Sequence, residues 1–120
     1  MIRIKKLPPI CVALGCDRAS ELERLVRHTF NTGERFFEFR LDSLDEPQSG
    51  IGVIQRTIRR FPRVTILATC RSASNGGAFN GGLQKQVELL EHAIAAGAGL
   101  VDLEIESAEQ LPTVLKGLQS

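Results

Sequence analysis

Along the chain, alternating apolar and polar residues recur in four short runs, residues 10–16, 35–42, 64–70 and 100–106, and each run is followed by a stretch with helical spacing. Runs of this length and pattern predict strands, in which successive side chains face opposite sides. In RFFEFRLD, Phe37, Phe39 and Leu41 fall on one side, and Phe36, Glu38, Arg40 and Asp42 on the other. In VTILATCR, Val64, Ile66, Ala68 and Cys70 oppose Thr65, Leu67, Thr69 and Arg71. In LVDLEIE, Val101, Leu103 and Ile105 oppose Leu100, Asp102, Glu104 and Glu106. The first run, ICVALGC, has only Cys11, Ala13 and Gly15 on the side that the other runs fill with charge, so it leaves room there.

The intervening stretches read as helices. Ser20 and Glu23 have the spacing of a capping box, and Leu22, Leu25, Val26 and Phe30 recur at helical intervals until Asn31-Thr32-Gly33 stops the helix. A second helix carries Ile51, Ile54, Ile58 and Phe61, with Arg59 and Arg60 in its last turn and Pro62 ending it. The third carries Leu83, Val87, Leu90 and Ile94 and closes at Gly97. Ser107 and Gln110 can cap a fourth, with Leu111, Val114, Leu115 and Leu118 on one side, although Pro112 can push its start later.

Strand and helix alternating four times predict right-handed crossovers and a parallel sheet in one α/β domain over residues 1–120. A doubly wound sheet is covered by helices on both sides and reads apolar on both faces. These strands are charged on one face. A parallel sheet with helices outside and a polar interior is what a TIM (β/α)₈ barrel supplies, with its chemistry at the C-terminal strand ends. Glu38, Arg40, Arg71, Asp102 and Glu104 all fall at or near those ends. The alternative is a set of ion pairs that merely fills the interior, where charge is costly unless it is paired or used.

Composition narrows the classes. The chain is 42% hydrophobic with a formal charge of +1, and its basic residues are interleaved with acidic ones, so no basic stripe for nucleic acid is visible. The apolar run at residues 10–14 is too short to cross a membrane, and a cytoplasmic protein is expected. Three cysteines, Cys11, Cys16 and Cys70, lie in or beside apolar runs and read as reduced, buried thiols. No C-x-x-C pair is present and His28 and His92 fall in helices, so neither metal nor cofactor is expected.

The chemistry centres on TCRSASNGGAFNGG, residues 69–82. Glycine-rich turns can present N–H groups to phosphate, but Gly81-Gly82 is followed by Leu83-Gln84, so the lysine and hydroxyl of a nucleotide phosphate loop are missing. A flavodoxin-like receiver would need an acidic residue at the end of the third strand, where Thr69-Cys70-Arg71 stands instead. The segments ICVALG, EFRLD, ILATCRSASNGG and GLVDLEIE, in that order and spacing, resemble type I 3-dehydroquinate dehydratase, the Schiff-base lyase of the shikimate pathway.

That resemblance implies the first half of a barrel that needs about 250 residues, and conversion of 3-dehydroquinate to 3-dehydroshikimate and water. In this chemistry a lysine condenses with the substrate ketone while a histidine removes the neighbouring proton. Carried over by motif, Glu38, Phe39 and Arg40 would hold the hydroxylated ring and Arg71 would hydrogen-bond to it. Asp102 would orient the histidine, and Gly76-Gly77 would turn the backbone tightly over the substrate. Asn75 stands where many members carry a glutamate close to that histidine, and an amide carries no charge and exchanges no proton at neutral pH. The family's lysine and histidine are expected beyond Ser120. Lys5, Lys6, Lys85, Lys116, His28 and His92 read as solvated surface, so the chain alone is expected to be inactive. The other reading is a non-catalytic half-barrel that binds a small hydroxy acid or only associates with another subunit. Exposed edges on the first and fourth strands predict a two-fold homodimer or partial aggregation.

Overall fold

Phe37, Phe39, Ile66 and Ala68 have no exposure to solvent, and the layering of the molecule follows from where they point. The computed structural model describes residues 10–103, in which a parallel sheet runs in the order β1-β2-β3-β4. Its strands are β1 (Val12–Leu14), β2 (Phe36–Arg40), β3 (Thr65–Thr69) and β4 (Leu100–Asp102). The helices α1 (Ala19–Asn31), α2 (Ser49–Arg60) and α3 (Gly82–Ala96) join them in turn. This is the βα alternation expected of the first half of a (β/α)₈ barrel.

The apolar parity of each strand is directed at the helices. Leu14, Phe37, Phe39, Ile66, Ala68 and Cys70 join Leu22 and Val26 of α1, Val53 and Ile54 of α2, and Leu89, Leu90 and Ala93 of α3 in one buried cluster. Each such large side chain contributes roughly 1.5–3 kcal/mol by leaving water, so this layer holds the sheet. Val101 and Leu103 pack against the same cluster. Ile105, Glu104, Glu106 and the fourth helix read from the sequence lie outside the described residues, as do Lys5, Lys6 and Lys116.

Several sequence expectations change in detail. Ser20 is not the cap of α1: the helix starts at Ala19 with Arg18 at the cap position and makes no side-chain cap bond, so Ser20 already lies inside the first turn. Ile94 is 40% exposed, because the stripe of α3 that meets the sheet runs through Gln86, Leu89, Leu90 and Ala93, leaving Val87 and Ile94 at its margin. Gln86 is buried because its Nε2 donates to the Cys70 carbonyl at 2.8 Å, an interaction that hydrophobic periodicity cannot reveal. Of the thiols only Cys70 is buried; Cys16 is half-buried, and Cys11, on the open side of the sheet before β1, is exposed. The helix stops are as read, with Arg59 and Arg60 in the last turn of α2 and Gly97 closing α3 at φ 119°.

Candidate active site

The side of the sheet opposite the helices carries the polar residues, and the register of the strands sets them in a row. Arg40 pairs with Thr69 and Thr69 with Asp102, so these three share one rung across β2, β3 and β4 at the C-terminal ends. Two residues earlier on β2, Glu38 stands opposite Ala13 of β1 and Leu67 of β3. Thr69 Oγ1 donates to Glu38 Oε2 at 2.7 Å and ties the carboxylate down from the neighbouring strand. Cys11 rims this face; partial burial pushes its thiol up, and the charge of Glu38 adds to the shift.

Strand parity ends at Arg40, since a 3₁₀ turn, Leu41–Ser43, follows at once. The turn folds Asp42 back onto Arg40. The guanidinium donates from Nε to Asp42 Oδ1 at 3.2 Å and from its terminal nitrogen to Oδ2 at 2.9 Å, a two-pronged pair in which 1% of the Asp42 side chain and 27% of the Arg40 side chain are exposed. The Ala78 N–H also donates to Asp42 Oδ2 at 3.2 Å, and the backbone of Arg71 lies near enough to the same carboxylate to favour its charged form. Burial pushes the Asp42 carboxyl up, but Arg40, the Arg71 backbone and the Ala78 N–H together outweigh it and hold it below its ordinary value. The Arg40 guanidinium is in turn held more firmly in its charged form, chiefly by its bond to Asp42.

The loop after β3 is self-supporting. Phe79 N–H donates to the Arg71 carbonyl at 3.1 Å, Ala73 N–H to the Phe79 carbonyl at 3.0 Å, and Gly77 N–H to the Ser72 carbonyl at 2.9 Å. A Cβ on Gly77 would lie 2.1 Å from the Arg71 carbonyl oxygen, so only glycine fits there, and Gly76 before it has φ 87°. The glycine pair thus lets the chain close over the backbone of Arg71. Asn75 ends a 3₁₀ turn, Ala73–Asn75, and its Nδ2 donates to Ser72 Oγ at 3.3 Å. From the end of β3, Arg71 reaches across to Asp102, with the terminal nitrogen 3.8 Å from Oδ2 and both side chains partly exposed.

Glu38, Arg40, Arg71 and Asp102, singled out from the sequence, therefore come together along one set of strand ends. Phe39 does not join them. Its side chain is fully buried among the helices, because its parity on β2 is opposite to that of Glu38 and Arg40, and this moves it from the site to the core. His28 and His92 are exposed on α1 and α3, with His92 Nδ1 3.5 Å from Gln48 Oε1, and Lys85 is exposed on α3. Among the described residues, no group of three or more His, Cys, Asp or Glu side chains could hold a metal ion. No helix among them is long and apolar enough to cross a membrane. A shallow cleft of about 120 Å³ lined by Arg27, Arg56, Arg60 and Phe61 lies between α1 and α2, outside the helix layer and away from the polar row.

Comparison with known proteins agrees with this geometry. Residues 10–119 match the family model for type I 3-dehydroquinase. The chain is 36% identical over 115 residues to a 3-dehydroquinate dehydratase of Dehalococcoides mccartyi, covering 96% of this chain and 46% of that protein. It is 34% identical over 101 residues to one from Desulfotalea psychrophila, covering 84% and 41%, and 31% identical over 100 residues to one from Methanothrix thermoacetophila, covering 83% and 40%. The chain spans about half the length of the curated relatives it matches. Since the match runs through every described strand and through the loop that carries Arg71, the chain belongs to the type I 3-dehydroquinase family.

Proposed function

We propose that this chain forms the substrate-holding half of a 3-dehydroquinate dehydratase, a hydro-lyase that converts 3-dehydroquinate to 3-dehydroshikimate and water in the cytoplasmic shikimate pathway. The observation that carries the reading is the shared rung of Arg40, Thr69 and Asp102, with Glu38 below it and Arg71 above it. Cations and anchored carboxylates facing one open side suit a small ring bearing hydroxyls and a carboxylate. Arg40 and Arg71 would address its oxygens, and Glu38, steadied by Thr69, would accept from its hydroxyls. Asp102 is partly exposed and only loosely held by Arg71, so it is available to orient a histidine brought by the second half of the barrel. The lysine that condenses with the ketone would come from that half too, and closing eight strands, by the second half or by a second copy of this chain, would cover the edges of β1 and β4. Asn75 would hydrogen-bond near the histidine without exchanging protons with it.

The test is a chimera in which this chain replaces the corresponding half of the Dehalococcoides mccartyi relative. The folded chimera is expected to form the conjugated enone product, and the isolated chain is not. In the chimera Arg71→Ala removes charge-assisted bonds worth about 1.5–3 kcal/mol, which is roughly a 10- to 150-fold loss in kcat/KM. Arg63→Ala, exposed before β3, changes it less than about twofold. Equal losses at the two positions would overturn the assignment of faces, and a folded but inactive chimera would overturn the activity. Product formation by the isolated chain, with a borohydride-trapped adduct on Lys85, would move the chemistry into this half.

A further inference from the structure

We infer that Asp42 is a positioning residue that sets the aim of both substrate-holding arginines, Arg40 through its guanidinium and Arg71 through its backbone. The inference rests on the functional reading above for the role of the arginines, but its geometry stands apart from that reading. One carboxylate, almost wholly buried, receives three bonds, two from Arg40 and one from the Ala78 N–H, and the backbone of Arg71 lies beside it and helps to hold it charged. Three separate segments meet on it: the end of β2, the start of the glycine loop and the end of that loop.

Each bond fixes something different. The fork from Arg40 is planar and two-pronged, so it sets the direction of the guanidinium as well as its place, and leaves the remaining N–H groups of Arg40 for the open side of the sheet. The bond from the Ala78 N–H and the Arg71 backbone beside the same carboxylate set the two ends of an eight-residue loop segment against one point. The root of the Arg71 side chain is thereby set from behind, while Gln86 holds the carbonyl of Cys70 just before it. Among the described contacts, Glu38 is tied to Thr69, and Asp102 meets the tip of Arg71. A neutral side chain of the same shape at position 42 would keep an acceptor but lose the charge that holds Arg40.

Amide hydrogen exchange on the full chain tests the latch directly. In Asp42→Asn, exchange at Arg71 and Ala78 should accelerate at least about tenfold relative to amides inside β2 and β3. Unchanged exchange at both, or equal acceleration throughout the sheet, would overturn the inference. If that variant does not fold, acid titration of the unmutated chain gives the same answer: the Arg40 Nε–H, Arg71 N–H and Ala78 N–H resonances should move with one common midpoint, and independent midpoints would overturn it. In the chimera, Asp42→Asn should raise KM about tenfold and lower kcat less than about threefold, and adding Arg40→Lys to it should cost little more. A fall in kcat alone, or fully additive losses, would reduce Asp42 to a structural part. If the unmutated chimera folds without dehydratase activity, the functional reading fails and the exchange result still decides the latch.

Discussion

The Arg40–Asp42 pair leaves 1% of its carboxylate side chain exposed, whereas the Arg71–Asp102 pair leaves 47% exposed, with Arg71 itself at 41% and the closest approach at 3.8 Å. The two pairs stand at neighbouring strand ends and combine the same residue types. Their surroundings differ. Asp42 is enclosed by a 3₁₀ turn and the glycine loop, where it also accepts from the Ala78 N–H and has the Arg71 backbone beside it. Water competes for the Arg71–Asp102 pair, so its members can exchange each other for a ligand at little cost. The first pair is built into the frame and the second stands on the open side, a distinction that charge and sequence spacing alone do not make.

The hardest way to break this contrast is Asp42→Ala. It leaves Arg40 without its partner and the Ala78 N–H without its acceptor, and the expected loss is about 3 kcal/mol, read as a lower midpoint in urea unfolding. A loss below about 1 kcal/mol would mean that water replaces the carboxylate and the burial argument fails. A smaller effect comes from acid. The folded-state pKa of Asp42 is depressed below the ordinary carboxylate value of 3.8, so its contribution is complete above that value and disappears as pH falls through it toward the folded value. The gap in unfolding free energy between the parent and Asp42→Asn should therefore be widest near neutrality and narrow below about pH 5; a gap that widens in acid would reverse the sign. The smallest effect is Asp102→Asn, expected to change stability by less than about 1 kcal/mol while lowering kcat in the chimera. A large stability loss there would place the second pair in the frame as well.

Much of the frame was legible because parity in a strand is a strict rule. Phe37, Phe39, Leu41, Val64, Ile66, Ala68 and Cys70 could be sorted to the core from alternation alone, and all are buried. The same rule places the Phe39 side chain in the core, on the side opposite Glu38 and Arg40, the motif neighbours through which it entered the reading. The latch was not legible. Asp42 lies two residues after Arg40, and extended chain would hold both side chains on one face without bringing them into a fork; the 3₁₀ turn that does so has no distinctive signature in Leu41-Asp42-Ser43. Its other neighbours, the Ala78 N–H and the backbone of Arg71, leave no mark in residue identity. Gln86 was hidden for a related reason: a polar residue on a helix reads as surface until its carbonyl partner is known. Of the open side, Glu38, Arg40, Arg71 and Asp102 could be grouped from strand ends, whereas the bond from Thr69 to Glu38 needed the register between β2 and β3.

The order β1-β2-β3-β4 also bears on how the chain is made. Because spatial order repeats chain order, every strand after the first pairs with the one synthesised just before it, and no strand has to wait for a later segment to be inserted between existing neighbours. Assembly can thus follow the ribosome, at about 5–20 residues per second, with α1, α2 and α3 each sealing the sheet as it grows. Among the described strands the same order puts β4 last, so the side of β4 away from β3 is where a later strand of the same sheet would pair.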